Sequence, residues 1–159
     1  MKRFDQNKCE GCGGRMVQRA YKHHEKVGQY AVTDSTGVVR VCEDCDDVPL
    51  TLEVLASYQR RAAALVLREA KAIDGRVIKY ARKALGLKQT ELAEEIGCAA
   101  ETLSRYETDS KDLPKAERLA IVAILDGVEQ AGSFDAYRDQ KSARTSKTFE
   151  VPPLRRACG

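Results

Sequence analysis

Two cysteine pairs, Cys9-Glu-Gly-Cys12 and Cys42-Glu-Asp-Cys45, constrain this chain more than any other feature of its sequence. Each pair sets two sulfurs on one tight knuckle, and two knuckles supply the four thiolates that tetrahedral zinc prefers. Gly11, Gly13 and Gly14 free the first knuckle to turn so that backbone amides can face the sulfurs. Between the pairs, Tyr30-Ala-Val-Thr33 and Val38-Val-Arg-Val41 read as short strands separated by the turn-prone Asp34-Ser-Thr-Gly37. A ribbon of this size buries too few apolar side chains to fold alone, so a structural zinc ion, one per chain, is its expected staple. Paired disulfides and a redox dithiol are the alternatives for the same residues, although no βαβ pattern surrounds either pair. Four cysteines also close the shell, which a catalytic ion would need open. His23 and His24 lie in the polar stretch Tyr21 to Lys26 and read as solvated.

From Pro49 the pattern turns helical. Leu52, Leu55, Tyr58, Ala62, Leu65, Val66, Glu69 and Ile73 recur at intervals of three and four, with Arg60, Arg61, Arg68 and Lys71 on the other side. The spacing predicts a helix of about 20 residues from near Thr51 to just before Asp74-Gly75, by the stop signals of helices. It serves either as a connector packed on one domain or as a dimerisation helix. Asp74 is a good N-cap for a next helix, Gly75 to Leu85, with Val77, Ile78, Ala81 and Leu85 inward and Lys79, Arg82 and Lys83 outward. Gly86 closes it.

The stretch Leu87 to Glu107 then reads as two short helices, Gln89 to Ile96 and Ala100 to Glu107, joined at Gly97. Gly97 suits the positive φ of the turn, Ala93 allows close approach, and Leu92, Ile96, Leu103 and Tyr106 have inward spacing. This is a helix-turn-helix, whose second helix enters the major groove of DNA. Its exposed positions are Ala100, Glu101, Thr102, Ser104 and Arg105. Arg105 is the best base reader, since its fork can bond guanine O6 and N7 together, and Glu101 can accept from cytosine N4. Gln89 should set its amide and backbone N–H at a phosphate, with Lys88, Lys83 and Arg82 as further phosphate neutralisers. Lys88 and Ala99 stand at the two N-cap positions, where lacking a Ser or Thr costs about 1 kcal/mol each. Cys98 reads as a small buried hydrophobe.

Lys111-Asp-Leu-Pro114 leads into a further helix, expected to end at Gly127 and apolar nearly all round from Leu119 to Leu125. One of its stripes must cover the helix-turn-helix core. The other is unsatisfied in a monomer, and a homodimer on a palindromic operator is the natural remedy. Phe134 to Tyr137 hold one short helical turn at most, and Lys141 to Gly159 read as a basic, disordered tail in which Cys158 has no evident role. A formal charge of +3 leaves nucleic-acid binding to local arrangement. No apolar run approaches the roughly 20 residues that span a bilayer, no export signal is evident, and a cytoplasmic location without membrane contact is expected.

The expected architecture is a small zinc-stapled β-ribbon N-terminal domain (1–48), joined by a connecting helix (49–73) to an all-α Cro/repressor-like helix-turn-helix domain (74–132), with the tail at 133–159. Leu87-Lys-Gln-Thr-Glu-Leu-Ala93 and Thr102-Leu-Ser-Arg-Tyr-Glu107 resemble the Cro and repressor (XRE) type of helix-turn-helix. Joined to the cysteine pairs and the connecting helix, the whole resembles the MqsA antitoxin family over roughly residues 5 to 128. That resemblance implies a homodimer that sequesters a small ribonuclease toxin through its N-terminal domain and represses its own operon through the C-terminal one. Cys9, Cys12, Cys42 and Cys45 match the family's zinc ligands, and Arg105 a base-reading position. Glu101 stands where the family has asparagine, so a different operator sequence is expected. A zinc-containing regulator without a toxin, and a thiol–disulfide oxidoreductase, are the competing readings.

Overall fold

The computed structural model describes residues 7–145. The remainder of the expected tail, Cys158 included, lies outside the described residues. An antiparallel hairpin of β1 (Met16–Val27) and β2 (Tyr30–Cys42) is followed by six helices: α1 (Leu52–Glu69), α2 (Gly75–Ala84), α3 (Gln89–Ile96), α4 (Ala100–Glu107), α5 (Lys115–Ala131) and α6 (Phe134–Thr145).

The hairpin is longer than its sequence suggests. The two segments expected to be separate strands are both in β2, and the chain reverses instead at Gly28 and Gln29, where Gly28 has φ +60°. Asp34-Ser-Thr-Gly37 is not a turn but a bulge. Tyr21 pairs with Gly37 and His23 with Asp34, so Ser35 and Thr36 lie opposite Lys22 alone. The Asp34 carboxylate makes the bend by accepting from the Thr36 N–H at 2.9 Å and its hydroxyl at 2.7 Å. β1 escapes an apolar-alternation reading because its inward positions include Glu25, which lies against Tyr80, and Tyr21 and His23, which meet Tyr58 on a helix rather than an aliphatic core.

That helix is α1. The Thr51 hydroxyl caps it by accepting from the Val54 N–H at 3.3 Å. It stops at Glu69, short of the expected end, where the Arg118 guanidinium from α5 donates to the carbonyls of Leu67, Arg68 and Ala70. Its buried residues are Tyr58, Ala62, Ala63, Ala64, Val66 and Leu67, whereas Leu52 is 85% and Leu65 46% exposed. The single expected stripe fails because α1 is covered by the hairpin as well as by α2 and α5. Tyr58 stacks on His23 with ring centroids 4.5 Å apart, and Arg61 pairs with Asp34 at 2.6 Å. A Cβ on Gly37 would overlap the Tyr58 hydroxyl, so this close approach requires glycine there.

α5 runs through Gly127 and ends at Gly132, in the left-handed region at φ +83°. Gly127 makes room for the Tyr137 ring of α6, which a Cβ would overlap. Ile121, Val122, Ile124, Leu125 and Val128 are buried, and α1 packs along α5 in the same chain. Most of the stripe that was expected to need a second copy is thus covered internally, Leu119 at 56% exposure being the exception. The expected single turn after Gly132 is a helix of 12 residues, α6, reaching into the supposed tail as far as Thr145. Lys141 from α6 bonds the Glu95 carboxylate of α3 at 2.8 Å. Val27 and Val32 of the hairpin belong to the same apolar cluster as α1, α2, α3, α4 and α5.

Candidate metal centre and nucleic-acid interface

At the open end of the hairpin the four cysteines converge. Their sulfurs all lie within 4.8 Å of one another. Cys12 Sγ is 3.4 Å from Cys42 Sγ and 3.4 Å from Cys45 Sγ, and Cys9 Sγ is 3.7 Å from Cys45 Sγ. A tetrahedron with metal–sulfur distances of about 2.3 Å has edges of about 3.8 Å, close to these separations. A disulfide needs about 2.0 Å, and all four are free thiols. The cluster could therefore hold a metal ion.

The knuckles supply N–H donors to the sulfurs. Gly14 N–H donates to Cys12 Sγ at 3.4 Å, those of Asp44 and Cys45 to Cys42, and that of Asp47 to Cys45. A Cβ on Gly14 would overlap the Asp44 carboxylate and lie 2.9 Å from Cys42 Sγ, so glycine there leaves the sulfur cluster uncrowded. Burial opposes a thiolate at Cys42, but the Asp44 and Cys45 N–H groups and the Cys12 and Cys45 thiols outweigh it and bring its pKa down to about 7. At Cys45 the Asp47 N–H favours the thiolate, yet the Cys12 and Cys42 sulfurs push the pKa up to about 12. Sulfurs this close cannot all carry charge unaided, and a divalent cation among them would relieve the repulsion. The residues present thus fit a tetrahedral, thiolate-seeking ion.

At the other end of the chain, α3 and α4 meet at Gly97, which is left-handed at φ +74° as its sequence position requires. Leu92, Ala93, Leu103 and Tyr106 are buried. This leaves Glu101 and Arg105 of α4 exposed, Ala100, Thr102 and Ser104 half-buried beside them, and Lys83 and Lys88 exposed nearby. Lys88 and Ala99 are the N-caps and neither gives a side-chain bond, although the Glu91 carboxylate accepts from the Lys88 N–H at 2.7 Å. Cys98 is half-buried against the core.

Two of the expected phosphate contacts are placed differently. Arg82 does not point outward from α2. It donates from Nε and Nη2 to the Glu107 carboxylate at 2.6 and 3.1 Å, and from Nη1 to the Leu87 carbonyl at 2.9 Å. Gln89 gives its amide to the same carboxylate at 2.8 Å. Glu107, 9% exposed, therefore ties the end of α4 to α2 and to the start of α3. Nothing local in the sequence signals this. Glu107 ends an amphipathic helix where an acid would ordinarily be solvated, and its partner Arg82 is 25 residues away. Glu95 is a second such residue, fixing α3 to α6 through Lys141.

Residues 78–129, less than half of the chain, match the helix-turn-helix family, of XRE type. They span α3, α4, most of α2 and nearly all of α5, and this family is a DNA-binding regulator fold. No curated protein matches the chain. Among the described residues no helix is long and apolar enough to cross a membrane.

Proposed function

We propose that this protein is a zinc-stabilised, homodimeric transcriptional repressor of the antitoxin kind, working in the cytoplasm. In this reading residues 1–48 hold one structural Zn2+ on Cys9, Cys12, Cys42 and Cys45, 49–73 connect, and 74–132 read a palindromic operator in double-stranded DNA. The observation that carries it is the turn at Gly97, which buries Leu103 and Tyr106 while leaving Glu101 and Arg105 of α4 in solvent. Arg105 is assigned to a guanine edge and Glu101, Thr102, Ala100 and Ser104 to the surrounding bases and sugars. Lys88 and Lys83 are assigned to phosphates. Arg82 and Gln89 become positioning residues, since both are spent on Glu107. Repression follows from occupying the groove, not from catalysis.

The dimer is supported by the two-fold symmetry of helix-turn-helix sites and by Leu119 on α5, which remains 56% exposed. The toxin partner is supported by the resemblance to the MqsA family. Its rival, a regulator with no toxin, draws support from the packing of Val27 and Val32 into the helical core, which suits a hairpin that props the DNA reader. Binding of the chain to its own promoter is the test. Arg105→Ala should weaken it about 10- to 100-fold and relax base preference, from the 1–3 kcal/mol of a bidentate contact. Unchanged affinity and preference would remove the assignment. Rescue from the toxicity of an adjacent gene product would favour the antitoxin, and the lack of any rescue the plain regulator.

A further inference from the structure

The two faces of the hairpin differ sharply in charge. Gln18, Lys22, His24 and Lys26 of β1 and Thr33 and Arg40 of β2 share the face turned away from α1, by strand alternation and the observed register. Every polar side chain in that group can donate a hydrogen bond and none is a carboxylate. The hairpin's two acids inside the strands that carry partners, Glu25 and Asp34, lie on the opposite face. There they bond His23 at 3.1 Å and Arg61 at 2.6 Å. Residues two apart on a strand recur every 6.6 Å or so, so Lys22, His24 and Lys26 make a row of about 13 Å with a lysine at each end and His24 bonded to the Thr33 hydroxyl at 3.0 Å between them.

We propose that this face binds the phosphate backbone of double-stranded DNA, as a sequence-independent contact additional to α4; the proposal rests on the DNA-binding reading above. Phosphate contacts are made by Lys and Arg together with hydroxyl and amide donors, which is the composition found here. Its apolar members are Ala20, Ala31, Val38 and, at the open end, the half-buried Met16, a scattered set rather than the continuous apolar core of a protein interface. The helix-turn-helix also needs such help. Its exposed Lys83, Lys88 and Arg105 are offset by exposed Glu91, Glu94 and Glu101, so α3 and α4 with their flanks bring no net charge to a polyanion. Affinity for DNA grows with the number of phosphates neutralised, and the hairpin offers Lys22 and Lys26 with no acid on their face, while Arg40, half-buried, donates to Asn7 Oδ1 at 2.9 Å and shares a hollow with Glu10 and Asp47.

The test uses the full, metal-loaded chain, with a promoter duplex and a scrambled duplex of equal length, titrated between 50 and 200 mM salt. The triple variant Lys22→Ala, Lys26→Ala, Arg40→Ala should bind both duplexes more weakly by the same factor. The slope of log affinity against log salt should become shallower by about 2 to 3. Arg105→Ala should instead lose preference for the promoter. A triple variant of unchanged circular dichroism and metal content that keeps the wild-type slope overturns the proposal while leaving the α4 reading intact. Binding of wild type to poly-glutamate, with no change of DNA slope in the triple variant, overturns it in favour of an acidic protein partner. Failure of wild type to bind either duplex removes the DNA-binding reading and this proposal with it.

Discussion

Glu107→Ala is the substitution with the largest worked consequence. The carboxylate is nearly buried and accepts three hydrogen bonds, two from Arg82 and one from Gln89. The Arg82 side chain is itself 13% exposed, so removing its partner leaves a guanidinium that water reaches poorly, held only by the Leu87 carbonyl. Breaking one side of a buried pair costs about 3–5 kcal/mol. For a chain of this size each kcal/mol lowers the melting temperature by about 2–4 °C, so a loss of about 6–20 °C is expected. Arg82→Met combined with Glu107→Leu should recover much of that loss, because the penalty lies in the orphaned charge rather than in the missing attraction. Thermal unfolding by circular dichroism measures both. DNA binding should follow, since Gln89 and Arg82 hold the start of α3 against α4. A single variant that melts within 2 °C or so of wild type would refute the reasoning, as would a double variant no better than the single one.

Three further outcomes are expected. Gly14→Ala puts a Cβ against the Asp44 carboxylate and Cys42 Sγ, so if the proposed zinc site is real the zinc-loaded variant should lose its metal to a chelator far faster than zinc-loaded wild type; equal retention would count against the proposed metal centre. Arg118→Ala removes the donor to three carbonyls at the end of α1 and should destabilise by about 2 kcal/mol, read from denaturant unfolding. Burial alone would raise the Asp34 carboxyl, but the Thr36 hydroxyl and N–H and the Arg61 guanidinium hold it below the ordinary value. A carboxyl lowered by folding stabilises above its unfolded pKa of about 3.9, and that stability is lost as pH falls through the folded value. Asp34→Asn should therefore be less stable than wild type at pH 7, with the gap closing below about pH 4, and a gap independent of pH would contradict this.

What the sequence determined by itself was whatever short-range chemistry dictates. Two cysteines on one knuckle, an N-cap at Asp74 and a left-handed glycine at Gly97 each depend on a handful of neighbouring residues. The four-cysteine cluster, the boundaries of α2, α3 and α4 and the exposure of Arg105 were accordingly legible. What tertiary structure decided were the pairings between distant residues. β1 has too polar a pattern to be recognised as a strand until α1 is laid against it, because Tyr21 and His23 pack on Tyr58 rather than on aliphatic neighbours. The second apolar stripe of α5 looked unpartnered until α1 was found upon it. Arg82 and Gln89 looked like surface donors until Glu107 gathered them. In each case a polar or apolar side chain in sequence records only that it needs a partner, and the fold alone determines whether that partner is water, nucleic acid or another part of the same chain.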